Sequence, residues 1–221
     1  MLHKHILNIG YPKTGTTWLW DNLCLQPNFH APVHKENNQL FTNGCDVNQY
    51  VQTYCDYNIT GNFLPTLVYA DRYIINRLSS INTISASLIL RDPKKWMFSC
   101  YNFNNQLQHT ISKDFNTYVG EQICSGLLQY NYSVTIKRWQ QYFKDFTVLL
   151  YDDIEQNPLQ FLENYFSTMG LPLETWTLTR KNVTNYTQEY AISESHLKTL
   201  NKVITELEQT INCSLEHWKT T

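Results

Sequence analysis

The sequence predicts a single α/β domain over residues 1–221, a mainly parallel sheet flanked by helices and opened by a P-loop-like strand–turn–helix at the N-terminus. Three observations carry that expectation. Short apolar runs at 6–9, 85–91 and 146–151 alternate with segments of helical period, the pattern of a parallel sheet with helices on its faces. The first run breaks at Gly10-Tyr11-Pro12, and Gly15-Thr16-Thr17 opens an apolar-periodic segment. The other two runs end in charged residues, Arg91 and Asp152-Asp153, at the carboxyl ends of strands where such sheets bind ligands.

Taken in order, the first strand at 6–9 feeds a helix over 18–25 that Pro27 ends. Residues 28–65 read as polar, aromatic and irregular, with Pro32, Gly44, Gly61 and Pro65 as punctuation. A stretch of that length without periodicity points to function rather than connection. A short strand is expected at 66–70 and a turn or two of helix at 72–78. The strand at 85–91 is bounded by Asp92-Pro93, and Pro93 suits the start of a helix over 94–103. Residues 104–128 are weakly patterned. An amphipathic helix over 132–143 uses Val134, Trp139 and Phe143, and the strand at 146–151 follows it. A helix over 158–169 is capped by Gly170, and Leu197, Leu200, Ile204, Leu207 and Ile211 mark a last helix with one apolar face.

Composition excludes several classes. A hydrophobic share of 42% with 14% aromatic residues suits a packed core and not a disordered chain. The formal net charge of -2 leaves no footprint for nucleic acid, so an anion site must be local. No run approaches the ~18 apolar residues of a membrane span, and the first apolar run reads as strand one rather than a leader. The expectation is a cytoplasmic protein with no membrane and no nucleic-acid partner. Cys24, Cys45, Cys55, Cys100, Cys124 and Cys213 lack Cys-x-x-Cys spacing, and free, mostly buried thiols are expected.

A strand feeding a Gly- and Thr-rich turn into a helix N-terminus is an anion site, because the first N–H groups of the helix and its dipole both favour negative charge. Lys13 adds a cation, and Thr16 and Thr17 add hydroxyl donors. Gly10 and Gly15 have the separation of the nucleotide-triphosphate loop Gly-x-x-x-x-Gly-Lys-Ser/Thr, but Thr16 stands where that lysine belongs. A kinase using ATP is weakened as a reading and stays as an alternative.

Tyr11-Pro-Lys-Thr-Gly-Thr-Thr-Trp-Leu19 closely resembles the 5′-phosphosulfate loop of the sulfotransferases that use 3′-phosphoadenosine 5′-phosphosulfate (PAPS). The stretch 90–103 resembles the family's 3′-phosphate motif, a strand-ending arginine, Arg91, with a serine, Ser99, eight residues later. Val148 to Ile154, with Asn157-Pro158 and Gly170-Leu171-Pro172, is similar to the family's later strand, acidic pair and helix. The resemblance implies PAPS as cofactor, 3′,5′-adenosine bisphosphate as product and no metal. It assigns Pro12, Lys13, Thr14, Gly15, Thr16 and Thr17 to the 5′-phosphosulfate, with Lys13 on the leaving oxygen, and Arg91 and Ser99 to the 3′-phosphate. Trp18 either stacks on the adenine or packs in the core. The resemblance also assigns Arg180-Lys181 to the 3′-phosphate, although the pair keeps only the basic part of a late family motif whose remainder is missing.

His34-Lys-Glu-Asn-Asn-Gln-Leu-Phe41 resembles the Lys-Glu…Phe segment of the heparan-type carbohydrate members. This implies Glu36 as general base and Lys35 as a sulfate-side cation, with His34 as the alternative base. Phe41, Tyr101 and Phe103 are candidates to shape the site of a small-molecule or carbohydrate acceptor. The chain is short for the family, which implies an acceptor cleft that is open or completed by a second copy in a homo-oligomer. A third reading keeps nucleotide binding but not turnover.

Overall fold

The computed structural model describes residues 4–30, 32, 34–41, 46–54, 56–107, 114–125, 131–174, 178 and 191–219. Along the chain run β1 (Lys4–Asn8), α1 (Thr16–Leu23), β2 (Phe29–His30), α2 (Val47–Gln52), β3 (Ile59–Phe63), α3 (Arg72–Ser79), β4 (Ile84–Leu90), α4 (Pro93–Gln106) and α5 (Phe115–Cys124). They are followed by α6 (Tyr132–Gln140), β5 (Thr147–Leu150), α7 (Tyr151–Gln156), α8 (Pro158–Thr168) and α9 (Glu194–Ile211). Contacts group the chain into two compact units, Met1–Leu90 with Arg138–Asn182, and Arg91–Lys137 with Val183–Thr221.

The first unit is built on a five-stranded sheet ordered β2-β3-β1-β4-β5, and every pairing is parallel. Central strands of such a sheet are covered on both faces, and β1 and β4 are accordingly almost wholly buried. Because side chains alternate, Ile6, Phe63 and Ile89 share one face and pack under Trp18, Leu19 and Leu23 of α1 and Phe161, Tyr165 and Phe166 of α8. Each such side chain removed from water contributes roughly 1.5–3 kcal/mol. Asn8 and Ser87 lie on the same face, joined Nδ2 to Oγ at 3.2 Å, with Ser87 3.4 Å from the Tyr165 hydroxyl.

The opposite face of β1 carries His5. Its ring is fully buried, its Nε2 lies 2.7 Å from the Tyr50 hydroxyl of α2, and its centroid lies 4.5 Å from that of Tyr54. Burial disfavours the imidazolium and pushes the pKa down to about 3.

The second unit packs α4, α5 and α9 around Trp96, Met97, Tyr101, Phe115, Tyr118, Val119 and Leu200. Asp114 caps α5 by accepting from Thr117 N–H at 3.0 Å, and Ser193 caps α9 by accepting from His196 N–H at 3.4 Å.

Several sequence expectations need correction. Residues 28–65 are not irregular, because β2, α2 and β3 lie there. β3 escapes notice because Ile-Thr-Gly-Asn-Phe has a glycine at its centre and buries Thr60 and Asn62 completely, against the usual strand pattern. Residues 66–70 are not a strand: Pro65–Tyr69 is a 3-10 turn closed by Leu67 N–H to Leu64 O at 2.9 Å and Ala70 N–H to Leu67 O at 3.0 Å. Pro65 at its start fixes φ and leaves one fewer amide for a ladder. Val134 of α6 is exposed, while Tyr132, Ile136 and Trp139 are buried. The described cysteines are free, but Cys24, Cys124 and Cys213 are exposed rather than buried, since each sits at or just past the end of a helix. No helix among the described residues is long and apolar enough to cross a membrane.

His5 makes stability depend on pH in a defined direction. Between its ordinary value of 6.5 and its folded value of about 3, the unfolded chain binds a proton that the folded chain does not. Stability is therefore complete above 6.5 and falls as pH drops towards 3. From pH 7 to pH 5 the His5 contribution to urea-measured stability should fall by about 2 kcal/mol. His5→Gln, which keeps a partner for Tyr50 without titrating, should flatten that slope by the same amount. An unchanged slope would refute the assignment.

Candidate active site

The ladder between β1 and β4 continues past the end of β1. Ile9 N–H donates to Ser87 O at 2.9 Å, and Ile89 N–H to Gly10 O at 3.1 Å. At Gly10 the chain then turns, with φ 122°, and the Asn8 side-chain oxygen accepts the Gly10 N–H at 3.3 Å. A Cβ here would lie 2.9 Å from the Pro65 carbonyl oxygen, so only glycine fits both the conformation and the space. The 3-10 turn that presses on Gly10 is gripped by Arg138, whose guanidinium donates to the Val68 carbonyl. Burial pulls the pKa of that guanidinium down, while the neighbouring Tyr11 works in the opposite direction.

Lys13 and Gly15 take positive φ, 64° and 85°. Thr14 is fully buried and its hydroxyl donates to Tyr11 O at 2.7 Å, tying the turn to itself. Gly15 is the N-cap of α1, with the first helical bond from Leu19 N–H to Gly15 O at 3.0 Å. No side-chain cap occupies the first-turn amides and no acid lies in that turn. A Cβ on Gly15 would stand 3.0 Å from Ile154 Cδ1 and 3.1 Å from Tyr151 Cε2, so α7 forms the rear wall of the turn. Backbone amides, the Lys13 cation and the hydroxyls of Thr16 and Thr17 form a donor set suited to an oxyanion.

Residues 34–41 meet this turn from the β3 side. Lys35 Nζ stands 3.5 Å from Thr16 Oγ1, 3.5 Å from Phe63 O and 2.8 Å from Glu36 Oε1. The structure thus gathers Lys35, Glu36 and the phosphate-type turn in one place. The ion pair is 18% and 46% exposed on its two sides, a class worth roughly 0–1 kcal/mol. It does not hold the segment by itself. The backbone does: Phe63 N–H donates to Lys35 O at 3.0 Å, and Asn62 exchanges two hydrogen bonds with Asn37. His34 is exposed, and Phe41 ends the 3-10 turn Asn38–Phe41 with 41% of its surface open.

Trp18 lies edge-on to Phe161 in the core and is 7% exposed. In the second unit Asp92 Oδ1 accepts Lys94 N–H at 2.9 Å and starts α4, with Arg91 just before the helix and Ser99, 4% exposed, in its second turn. The Arg91 carbonyl is held by the Tyr132 hydroxyl at 2.8 Å. Tyr101, expected on an acceptor site, is instead 7% exposed and packed against Phe115 and Tyr118, because it lies on the buried side of α4. Phe103 is 40% exposed. Pro12 lies on the exposed rim of the turn. Arg180 and Lys181 lie outside the described residues. Among the described residues no three His, Cys, Asp or Glu side chains are grouped to hold a metal.

The roles of Asn37, Asn62, Tyr54 and Arg138 were not legible in the sequence. Each is an isolated polar or aromatic residue whose partner is distant in the chain.

A family model described as "Sulfotransferase domain" matches residues 3–221. The structure is similar to a sulfotransferase from Alicyclobacillus acidocaldarius, with a TM-score of 0.74 and 16% identity over 98% of this chain and 99% of that one. It is also similar to a mouse sulfotransferase complexed with PAP, with a TM-score of 0.65 and 11% identity over 94% and 85%. A sulfotransferase from Mycobacterium avium gives a TM-score of 0.62 and 12% identity over 97% and 78%. At these identities the likeness is one of fold. No curated protein sequence matches the chain.

The walls around Gly15 yield a direct test. Gly15→Ala puts a side chain into a positive-φ position and against Tyr151 and Ile154, and should lower stability by about 1–3 kcal/mol in urea denaturation. Wild-type stability in that variant would show that the turn is not confined as described.

Proposed function

The chain belongs to the sulfotransferase family, and from that premise we propose that it moves the sulfuryl group of PAPS to a hydroxyl or amine of an acceptor, with Lys13 and Glu36 as its catalytic residues. The family uses PAPS, which supplies a sulfuryl group already activated on a phosphate leaving group. The observation that carries the assignment for this chain is the approach of Lys35 Nζ to Thr16 Oγ1 at 3.5 Å, with Glu36 paired to the same lysine at 2.8 Å. That contact sets a base and a second cation beside the turn that fits an oxyanion.

In this reading the amides of residues 14–17 and the hydroxyls of Thr16 and Thr17 hold the 5′-phosphosulfate, with Pro12 shaping the rim. Lys13 offsets the charge that develops on the bridging oxygen. Glu36 accepts the proton of the acceptor hydroxyl or amine, and Lys35 keeps the carboxylate aimed while facing the sulfate. Arg91 supplies a guanidinium fork for the 3′-phosphate and Ser99 a hydroxyl donor. Such catalysis is mostly positioning and electrostatic stabilisation, as in phosphoryl transfer. Phe41, open beside the Lys35–Glu36 segment, offers an aromatic face to a sugar ring or a phenol. The resemblance of residues 34–41 to the heparan-type members favours a carbohydrate acceptor.

Transfer of radiolabelled sulfate from PAPS to a panel of sugars, phenols and amines is the primary measurement. Lys13→Ala should lower kcat about 10²–10³-fold, and Glu36→Gln about 10²–10⁴-fold. Unchanged turnover in Lys13→Ala would overturn its role. A His34→Gln variant that loses transfer while Glu36→Gln retains it would reassign the base. Thermal stabilisation by 3′,5′-adenosine bisphosphate and not by ATP is expected; the opposite result would return the ATP-dependent kinase reading.

A further inference from the structure

Beside the proposed base stands a residue with every polar group engaged. Asn37 N–H donates to Asn62 Oδ1 at 3.0 Å, and its carbonyl accepts from Asn62 Nδ2 at 2.9 Å. Its side-chain nitrogen donates to the Tyr54 hydroxyl at 2.9 Å, and its side-chain oxygen accepts Gln39 N–H at 2.9 Å. The Tyr54 ring packs in turn against that of Tyr50, their centroids 5.2 Å apart, and the Tyr50 hydroxyl meets His5 Nε2 at 2.7 Å. Asn62, Tyr50 and His5 are fully buried and Tyr54 is 1% exposed, so this chain runs from the sheet interior to the segment that carries Lys35 and Glu36.

We infer that Asn37 is a positioning residue for sulfuryl transfer, anchoring Lys35 and Glu36 over the turn through Asn62 and Tyr54. This rests on the assignment of Lys35 and Glu36 made above. The physical ground is a comparison of magnitudes. A partly exposed ion pair is too weak to fix the segment, whereas Asn37 makes four hydrogen bonds that leave buried partners unsatisfied if broken. Tyr54 suits the task because burial raises its phenol pKa and keeps it a neutral partner. Asparagine is required at 37 because the position uses a side-chain donor towards Tyr54 and a side-chain acceptor towards Gln39 at once.

Steady-state kinetics with PAPS and an unsulfated acceptor that the panel shows to receive sulfate provide the test. Asn37→Ala should lower kcat about 10–10²-fold, the scale of an ångström-sized misplacement, with the KM for PAPS unchanged. Tyr54→Phe should move kcat in the same direction by less. Tyr50→Phe, one step further back, should lower the melting temperature comparably to Tyr54→Phe and leave kcat near wild type. In the Glu36→Gln background, Asn37→Ala should add little further loss, because both act on one group. Unchanged kcat in Asn37→Ala overturns the inference, as does a kcat that merely follows melting temperature across Tyr50→Phe and Tyr54→Phe. An additive double variant beside a damaging Glu36→Gln overturns the positioning role alone, whereas a silent Glu36→Gln overturns the base assignment on which it rests.

Discussion

The reversal of the chain between Gly10 and Gly15 is the constraint on which the rest of the first unit depends. β1 is the central strand of the sheet, and its ladder runs to Gly10 before the backbone departs. Three positive-φ positions then redirect the chain into α1. The two glycines among them are each enclosed by a different part of the sequence. Pro65 and Val68 press on Gly10 after β3, Tyr151 and Ile154 press on Gly15 after β5, and Asn8 and Thr14 satisfy the amides and carbonyls between. Distant segments converge there because the strands are parallel and their carboxyl ends share one edge. The backbone N–H groups of the turn are consequently fixed before any anion arrives, which is the condition for electrostatic preorganisation.

How much of this was legible in the sequence varied with the locality of the signal. The turn and α1 were readable because glycine, threonine and lysine at fixed offsets specify their own geometry. β4 and β5 were readable because each ends in an unbroken apolar run, Leu88-Ile89-Leu90 and Val148-Leu149-Leu150. β3 was not, since its buried Asn62 serves hydrogen bonding and its central Gly61 interrupts the apolar pattern. The acceptor-side segment was visible only as a resemblance, because Asn37 carries no mark of the partners it finds at Asn62 and Tyr54. Tyr101 misled for the complementary reason: an aromatic on a helix has the same composition whether it lines a cleft or fills a core. Trp18 likewise belongs to the core cluster.

The core explains why so much polarity survives inside the sheet. On one face Asn8, Ser87 and Tyr165 form a short buried series, and on the other His5 bonds to Tyr50, Tyr50 packs on Tyr54, and Asn37 joins Tyr54 to Asn62. A buried polar group without partners costs free energy comparable to a lost hydrogen bond, so each series must be linked to be tolerated. Linked, it is directional in a way that apolar packing is not, and it admits one arrangement of the segments that it joins. Apolar contacts hold α1 and α8 against the sheet. Hydrogen bonds hold the 35–37 segment, where a shift would matter.

The chemistry of these buried groups also bears on the electrostatics of the site. The links that reach the Lys35–Glu36 segment are an amide, two phenols and an imidazole, and burial keeps the His5 ring and the Tyr54 phenol neutral near neutral pH. A charged anchor in their place would add its own field to a turn whose donors are already arranged for an anion, and would carry a desolvation cost several times that of a neutral partner. Neutral hydrogen bonds fix geometry while leaving the local charge to Lys13, Lys35 and Glu36. Position and charge are thereby set by different residues, and in the proposed reaction the segment can be held rigid without a further charge beside Lys35 and Glu36.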